Sequence, residues 1–217
     1  MLDDNWELIN GPPAHRIEQL NFLNTVNVIE ALVTFQAALT QSNTIPPMPT
    51  EGVLRELHRT GTLLLLQQPG AYRQSPVNVY KNGQIVYRPP PHAQVPGLMA
   101  DMFTELQQIW QNGDALDAAA YALWRVNWVH PFKNGNGRTA RAFAYGCLCA
   151  RLGVVLPGQP TVIEQIMVTR DEYEAAIRAG DAAAANDPNA RDLGPMKAYL
   201  NRLLQTQIAS IIPNPTP

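Results

Sequence analysis

The residues best suited to chemistry are gathered in one stretch, His130-Pro131-Phe132-Lys133-Asn134-Gly135-Asn136-Gly137-Arg138-Thr139-Ala140-Arg141. A histidine titrates near neutral pH, so His130 suits the work of a general base. Gly135-Asn136-Gly137 lets the backbone curl closely around a ligand at the start of a helix. There the unpaired N–H groups and the helix dipole favour an anion. Arg138 and Arg141, three residues apart, lie on neighbouring faces of that helix, and a guanidinium forks phosphate oxygens well. A base beside a phosphate cradle points to a hydroxyl attacking a phosphorus atom.

Helices must position this loop. A helical period runs from Ala14 to Leu39, with Leu20, Leu23, Val26 or Val28, Leu32 and Phe35 on one face. A second helix opens at Thr50 and Glu51 and runs through Leu54, Leu57 and the leucine block Leu63–Leu66. Further helices start near Pro96, after Asp114 and close to Asn136, and a last one carries Met196, Tyr199, Leu200 and Leu203. Shorter ones fit Thr161–Met167 and Arg170–Ala183. Between them, Val77–Tyr80 and Ile85–Tyr87 flank Asn82-Gly83, the dipeptide that most favours a two-residue hairpin. Counting out from that turn pairs Tyr80 with Ile85 and Val79 with Val86. The fold class expected is all-α: a helical bundle with one β-hairpin.

Composition narrows the field. The 217 residues are 46% apolar and 16% charged, which suits a globular chain with a sizeable core. A formal charge of −2 leaves no basic footprint, so direct nucleic-acid binding is not expected. Cys147 and Cys149 sit two apart on a helix and cannot easily bridge, which suggests reduced core thiols. The aliphatic block Leu63–Leu66 is too short to span a bilayer. The start Met1-Leu2-Asp3-Asp4-Asn5 is acidic where a signal peptide would be basic, so the expected location is cytoplasmic, with no membrane partner. His15, His58 and His92 show no ligand spacing and read as surface or structural residues. Trp124 and Trp128, at i and i+4, read as packing residues. Arg73 reads as a loop salt bridge, and Lys133 either touches ligand or is solvated.

The His130 segment resembles the Fic motif, H-x-F-x-[D/E]-[A/G]-N-[G/K]-R-x-x-R, at every specified position except 134. Pro69-Gly70-Ala71-Tyr72-Arg73, the hairpin, and the helix from Leu116 to Trp128 extend the likeness over roughly residues 50 to 205. The resemblance implies an N-terminal helical segment over 1–48, a Fic domain over 49–207 and a flexible tail over 208–217. It implies a protein adenylyltransferase that moves AMP from ATP to a Ser, Thr or Tyr hydroxyl of a target protein. His130 would be the base. Gly135, Asn136, Gly137, Arg138 and Arg141 would hold the nucleotide phosphates, with Arg141 on the terminal one and Phe132 anchoring the loop. The hairpin, through Val77, Val79, Tyr80, Ile85, Val86 and Tyr87, would be a flap that pairs with an extended target segment.

Members of the family usually place Asp or Glu where Asn134 stands, and that acid binds Mg²⁺. Asn134 keeps a carbonyl oxygen and loses the charge. Three outcomes stay open: a weakened metal site at Asn134, another acid in its place, or a module that binds nucleotide with weak or altered transfer of another nucleotide or phosphate moiety. The family also suggests an inhibitory glutamate on an N-terminal helix. Glu30 is the candidate here, in a degenerate copy of the pattern, with a separate antitoxin-like partner as the alternative.

Overall fold

A computed structural model describes residues 6–40, 44–186 and 191–211. The acidic start at Met1–Asn5 and the tail from Pro213 lie outside the described residues. Among those described there are eight α-helices and one two-stranded antiparallel sheet. In chain order they are α1 (Pro12–Leu39), α2 (Glu51–Gly61), β1 (Val79–Lys81), β2 (Gln84–Tyr87), α3 (Val95–Asn112), α4 (Ala115–Val129), α5 (Asn136–Leu152), α6 (Val162–Val168), α7 (Arg170–Asn186) and α8 (Gly194–Ala209). The all-α class with one hairpin is the fold observed.

α4 and α5 form the centre. Their faces carry small residues, Ala118, Ala119 and Ala122 on one and Ala140, Ala144 and Cys147 on the other, all buried. Small side chains let two helix backbones approach closely, and α4 and α5 make the most extensive helix pair of the fold. α4 starts cleanly because Asp114 and Asp117 form a reciprocal capping box. Cys147 and Cys149 are free and buried there, and burial pushes both thiols upward in pKa. Trp124 is fully buried and Trp128 stacks obliquely on it, so the aromatic pair is packing.

Three expectations need correcting. The leucine block does not continue α2. The helix stops at Gly61, and Leu64 turns with a left-handed φ of 63° so that Leu65 and Leu66 pack with Trp6 and Ala14 in a small second core. The hairpin turn is as expected, with Asn82 and Gly83 at positive φ and Tyr80 opposite Ile85. A bulge between Val79 and Tyr80 then shifts the ladder, so Val79 pairs with Tyr87 and not with Val86.

The third correction concerns α1, whose buried face is rotated from its apolar period, with Val28 and Leu32 of the expected face only half-buried. Leu20, Leu23, Val26 and Phe35 face outward. The buried positions are Ala14, Glu18, Asn21, Thr25, Ile29, Val33 and Gln36. Hydrogen bonding explains the choice. Asn21 Nδ2 donates to the Leu63 carbonyl at 2.9 Å, and Gln36 Nε2 donates to the Pro47 carbonyl at 2.5 Å. These carbonyls belong to a turn and an irregular segment that leave backbone groups needing partners, and buried polar groups without partners are costly. By length and composition alone α1 is long and apolar enough to cross a membrane, which the block Leu63–Leu66 is not.

The two faces of α1 should respond oppositely to charge. Leu23→Glu and Phe35→Glu should change stability by no more than about 0.5 kcal/mol in thermal denaturation. Ile29→Asp places an unpaired carboxylate in the core and should cost more than about 3 kcal/mol. A larger loss at Leu23 than at Ile29 would reverse the assignment.

Candidate active site

The loop 130–135 joins α4 to α5, and its shape is set by side chains that bind its backbone. The last turn of any helix leaves carbonyls without partners. Here Arg73 supplies them: Nε donates to the His130 carbonyl at 2.8 Å, and Nη2 reaches the Val129 carbonyl at 3.4 Å and the Pro90 carbonyl at 2.6 Å. The backbone N–H of Arg73 also donates to the Pro131 carbonyl, at 2.9 Å. Arg73 is buried, and its partners in this set are carbonyls rather than the acid of a salt bridge. Tyr87 adds a bond from its hydroxyl to the Trp128 carbonyl at 2.6 Å, which moors β2 to the end of α4.

His130 sits at the C-cap of α4 with a left-handed φ of 52°, uncommon for a residue with a side chain. Its Nδ1 lies 3.2 Å from the Asn127 carbonyl. A carbonyl only accepts, so Nδ1 carries the proton and Nε2 keeps its lone pair. Burial lowers the His130 pKa to about 4, with the nearby Arg73 charge adding to the effect. The imidazole is therefore neutral at physiological pH.

Beyond His130 the loop turns around Phe132, which is fully buried. Asn136 closes the turn from the α5 side. Its Oδ1 accepts from the Phe132 N–H at 2.8 Å and its Nδ2 donates to the Phe132 carbonyl at 2.8 Å. His58 supports the same turn from α2. Its ring stacks on Phe132 with centroids 3.7 Å apart and planes 6° from parallel. Its Nδ1 accepts from the Gly70 N–H at 2.8 Å, so Nε2 carries the proton and donates to the Asn134 carbonyl at 3.0 Å. Burial lowers this histidine too, to about 4. Spacing along the chain marks His58 as structural but does not reveal its place against the loop, which only the distant Gly70 and Phe132 define. His15 and His92 are half-buried.

Gly135 follows with a φ of 75°, and a Cβ there would lie 2.7 Å from the Thr62 methyl. Both facts require glycine. α5 then starts without a side-chain cap, so the Asn136, Gly137 and Arg138 N–H groups point out of its first turn. The Gly135 N–H is taken internally by Asn134 Oδ1 at 2.6 Å. With the Asn136 side chain engaged by Phe132, what this residue offers an anion is its backbone.

The two motif arginines differ. The Arg138 guanidinium turns toward α1, donating to Glu18 Oε1 at 2.9 Å and lying over the Trp6 ring at 5.1 Å. Trp6 Nε1 donates to the same carboxylate oxygen at 2.9 Å. Glu30 is exposed, so the α1 acid that meets a motif arginine is Glu18. Arg141 is paired with no carboxylate among the described residues; the Tyr173 hydroxyl lies near its guanidinium, and burial lowers its pKa.

Of the flap residues, Tyr80, Ile85 and Val86 are exposed, while Val77, Val79 and Tyr87 are half-buried. Lys81 Nζ ties the hairpin to Glu174 of α7 at 2.7 Å. A cavity of about 240 Å³ lies between the loop and the lead into the hairpin, with Lys133, Gln74 and Ser75 in its wall. Lys133 itself pairs with Glu7.

These residues do not form a ready Mg²⁺ site. Asn134 Oδ1 already accepts the Gly135 N–H, and no group of three or more His, Cys, Asp or Glu side chains able to hold a metal occurs among the described residues. Mg²⁺ prefers carboxylates, and the loop has none.

Two neutral histidines, His58 buried and His130 half-buried, make this region acid-sensitive. Each binds a proton more readily unfolded, near pH 6.5, than folded, near 4, so stability falls as pH drops through that window. For His58 the loss is on the order of 3 kcal/mol. His58→Gln should flatten the pH dependence of unfolding between pH 6.5 and 4 while lowering stability at pH 7. An unchanged slope in urea denaturation across that range would refute the assignment.

Comparison with known proteins agrees with this architecture. Residues 49–148 match the model of the Fic/DOC family. A Fic domain containing signaling protein from Bacteroides thetaiotaomicron superposes with a TM-score of 0.63 at 22% identity, over 88% of this chain and 69% of that one. A Fic family protein from Desulfovibrio desulfuricans gives 0.59 at 23% identity, over 92% and 67%. BepC, a VirB-translocated effector from Bartonella tribocorum solved with bound AMPPNP, gives 0.51 at 15% identity, over 83% and 86%. No curated protein sequence matches the chain. The match to the family model, laid over the helix, loop and helix that carry the histidine, the glycine turn and both arginines, places residues 49–148 of this chain in the Fic/DOC family.

Proposed function

We propose that this chain is a protein adenylyltransferase that moves AMP from ATP to a Ser, Thr or Tyr hydroxyl of a target protein in the cytoplasm. One observation carries the reading: the proton on His130 Nδ1 is committed to Asn127, which leaves Nε2 as a bare acceptor in the loop that opens into the uncapped start of α5. The AMPPNP bound in the BepC structure supports a nucleotide as the ligand.

The step balances without further reagents. Nε2 takes the proton of the target hydroxyl as its oxygen attacks the α-phosphorus. The bond from that phosphorus to the α–β bridging oxygen breaks, and pyrophosphate leaves. The Gly137 and Arg138 N–H groups and the Arg141 guanidinium meet the phosphate charge. The Arg138 side chain contributes only after it leaves Glu18. The exposed edge at Tyr80 and Val86 offers a target strand somewhere to pair.

Asn134 favours a second reading, in which the cradle binds nucleotide but transfers it weakly or transfers another moiety. Its Oδ1 is held by the Gly135 N–H and it brings no charge for Mg²⁺. Incubation with lysate and either α-labelled or γ-labelled ATP separates the two. Label from the α position alone supports adenylyl transfer; label from the γ position alone means phosphate is moved; neither label sinks the enzyme reading. His130→Ala should abolish labelling and spare nucleotide binding. Asn134→Asp should raise both Mg²⁺ affinity and transfer, and no change in either would remove the metal argument.

The pH profile offers a separate check. With His130 near 4, kcat/KM should stay flat from pH 8 to about 5, because the neutral imidazole persists. A fall centred near 6.5 would mean the imidazole titrates as if in water.

A further inference from the structure

We propose that Tyr173 on α7 is a positioning residue for the nucleotide site: its hydroxyl, shared with Asn127 of α4, aims the Arg141 guanidinium across the first turn of α5 toward the terminal phosphate. This rests on the nucleotide reading above and extends the site to a helix outside residues 49–148.

Three elements meet at this hydroxyl. Asn127 Nδ2 donates to it at 2.8 Å while also donating to the Leu123 carbonyl at 2.7 Å, so the amide is fixed to α4. The Arg141 guanidinium lies close enough to the same hydroxyl for its charge to oppose the rise that burial gives the phenol's pKa. A phenol oxygen has two lone pairs, so it has room for the guanidinium beside the amide. The far end of Arg141 lies beside the first turn of its own helix. A Cβ on Gly137 would sit 3.4 Å from Arg141 Nη1 and 3.8 Å from Asn127 Oδ1. The guanidinium and the amide therefore flank the glycine whose N–H opens the cradle. Arg141 Nε is buried without a hydrogen-bond partner, which leaves the phenol as the contact that sets its direction.

The tyrosine is itself held rigidly. It is buried, its ring stacks on Tyr199 at 6.4 Å, and the Tyr199 hydroxyl bonds Thr169 Oγ1 at 2.7 Å. The choice of phenol over carboxylate has a consequence. An Asp or Glu at this point would neutralise the guanidinium, whereas a neutral acceptor orients it and leaves its full charge for phosphate. The Asn127 carbonyl takes the His130 Nδ1 proton, so one residue links the base to the arginine.

Tyr173→Phe removes only the oxygen. Calorimetric binding of ATP and AMP to the full chain should show ATP weakened about ten-fold or more, the usual effect of losing one hydrogen bond to a charged group, with AMP unchanged. Tyr199→Phe, which cuts the Thr169 contact in the same helix interface, should leave both affinities as they were. An equal loss for ATP and AMP, or none for either, overturns the proposal. Should the wild-type chain bind no ATP, the nucleotide reading fails first, and a second measurement still decides the geometry. In ¹⁵N-arginine NMR the Arg141 Nε–H should exchange faster with water in Tyr173→Phe than in wild type. An unchanged rate means the phenol does not hold the guanidinium.

Discussion

Everything at this site depends on buried side chains that grip the backbone of a six-residue turn. A loop that must present N–H groups and an imidazole to a ligand cannot spend those groups on its own folding. The fold meets this constraint by satisfying the loop's carbonyls from outside. Arg73 takes those of Val129 and His130, its backbone N–H takes that of Pro131, and His58 takes that of Asn134. Asn136 then closes the turn around Phe132. With its acceptors occupied, the loop keeps its donors at the start of α5 directed outward.

The same arrangement decides the electrostatics. Both histidines in contact with the loop are held neutral by burial, so neither adds a positive charge. The positive character of the cradle comes from the helix N-terminus and from Arg141, the motif arginine paired with no carboxylate among the described residues. Arg138 stands apart, because Glu18 and Trp6 hold its head against α1. A buried pair of this kind adds little net stability compared with apolar packing, but removing one partner is costly. The contact therefore couples the packing of α1 to the state of the loop.

α1 illustrates how a local pattern can be right about an element and wrong about its orientation. Its length and helicity are legible from period and propensity. Its buried face is not, since the apolar positions Leu20, Leu23 and Phe35 lost to a mixed face that carries Glu18, Asn21 and Gln36 beside Ile29 and Val33. The deciding partners are the carbonyls of Leu63 and Pro47 and the Arg138 guanidinium, all of them beyond the end of α1. The spacing of apolar residues along a helix reflects only how much area each face could bury. It carries no information about a carbonyl left unpaired by a turn elsewhere in the chain.

The sequence alone determined the parts whose physics is local. These are the helix starts at Asp114 and Asn136, the Asn82-Gly83 turn, and the order of histidine, glycines and arginines that makes a base followed by an anion-binding helix end. Tertiary structure decided what depends on contacts far apart in the chain. It gave His58, Arg73 and Tyr173 their places around the loop, chose Glu18 over Glu30, and sent one arginine to a carboxylate and the other to a phenol. The physical reason is that a hydrogen-bond partner is chosen by distance and burial in space. Neither quantity exists along a chain until its helices have packed.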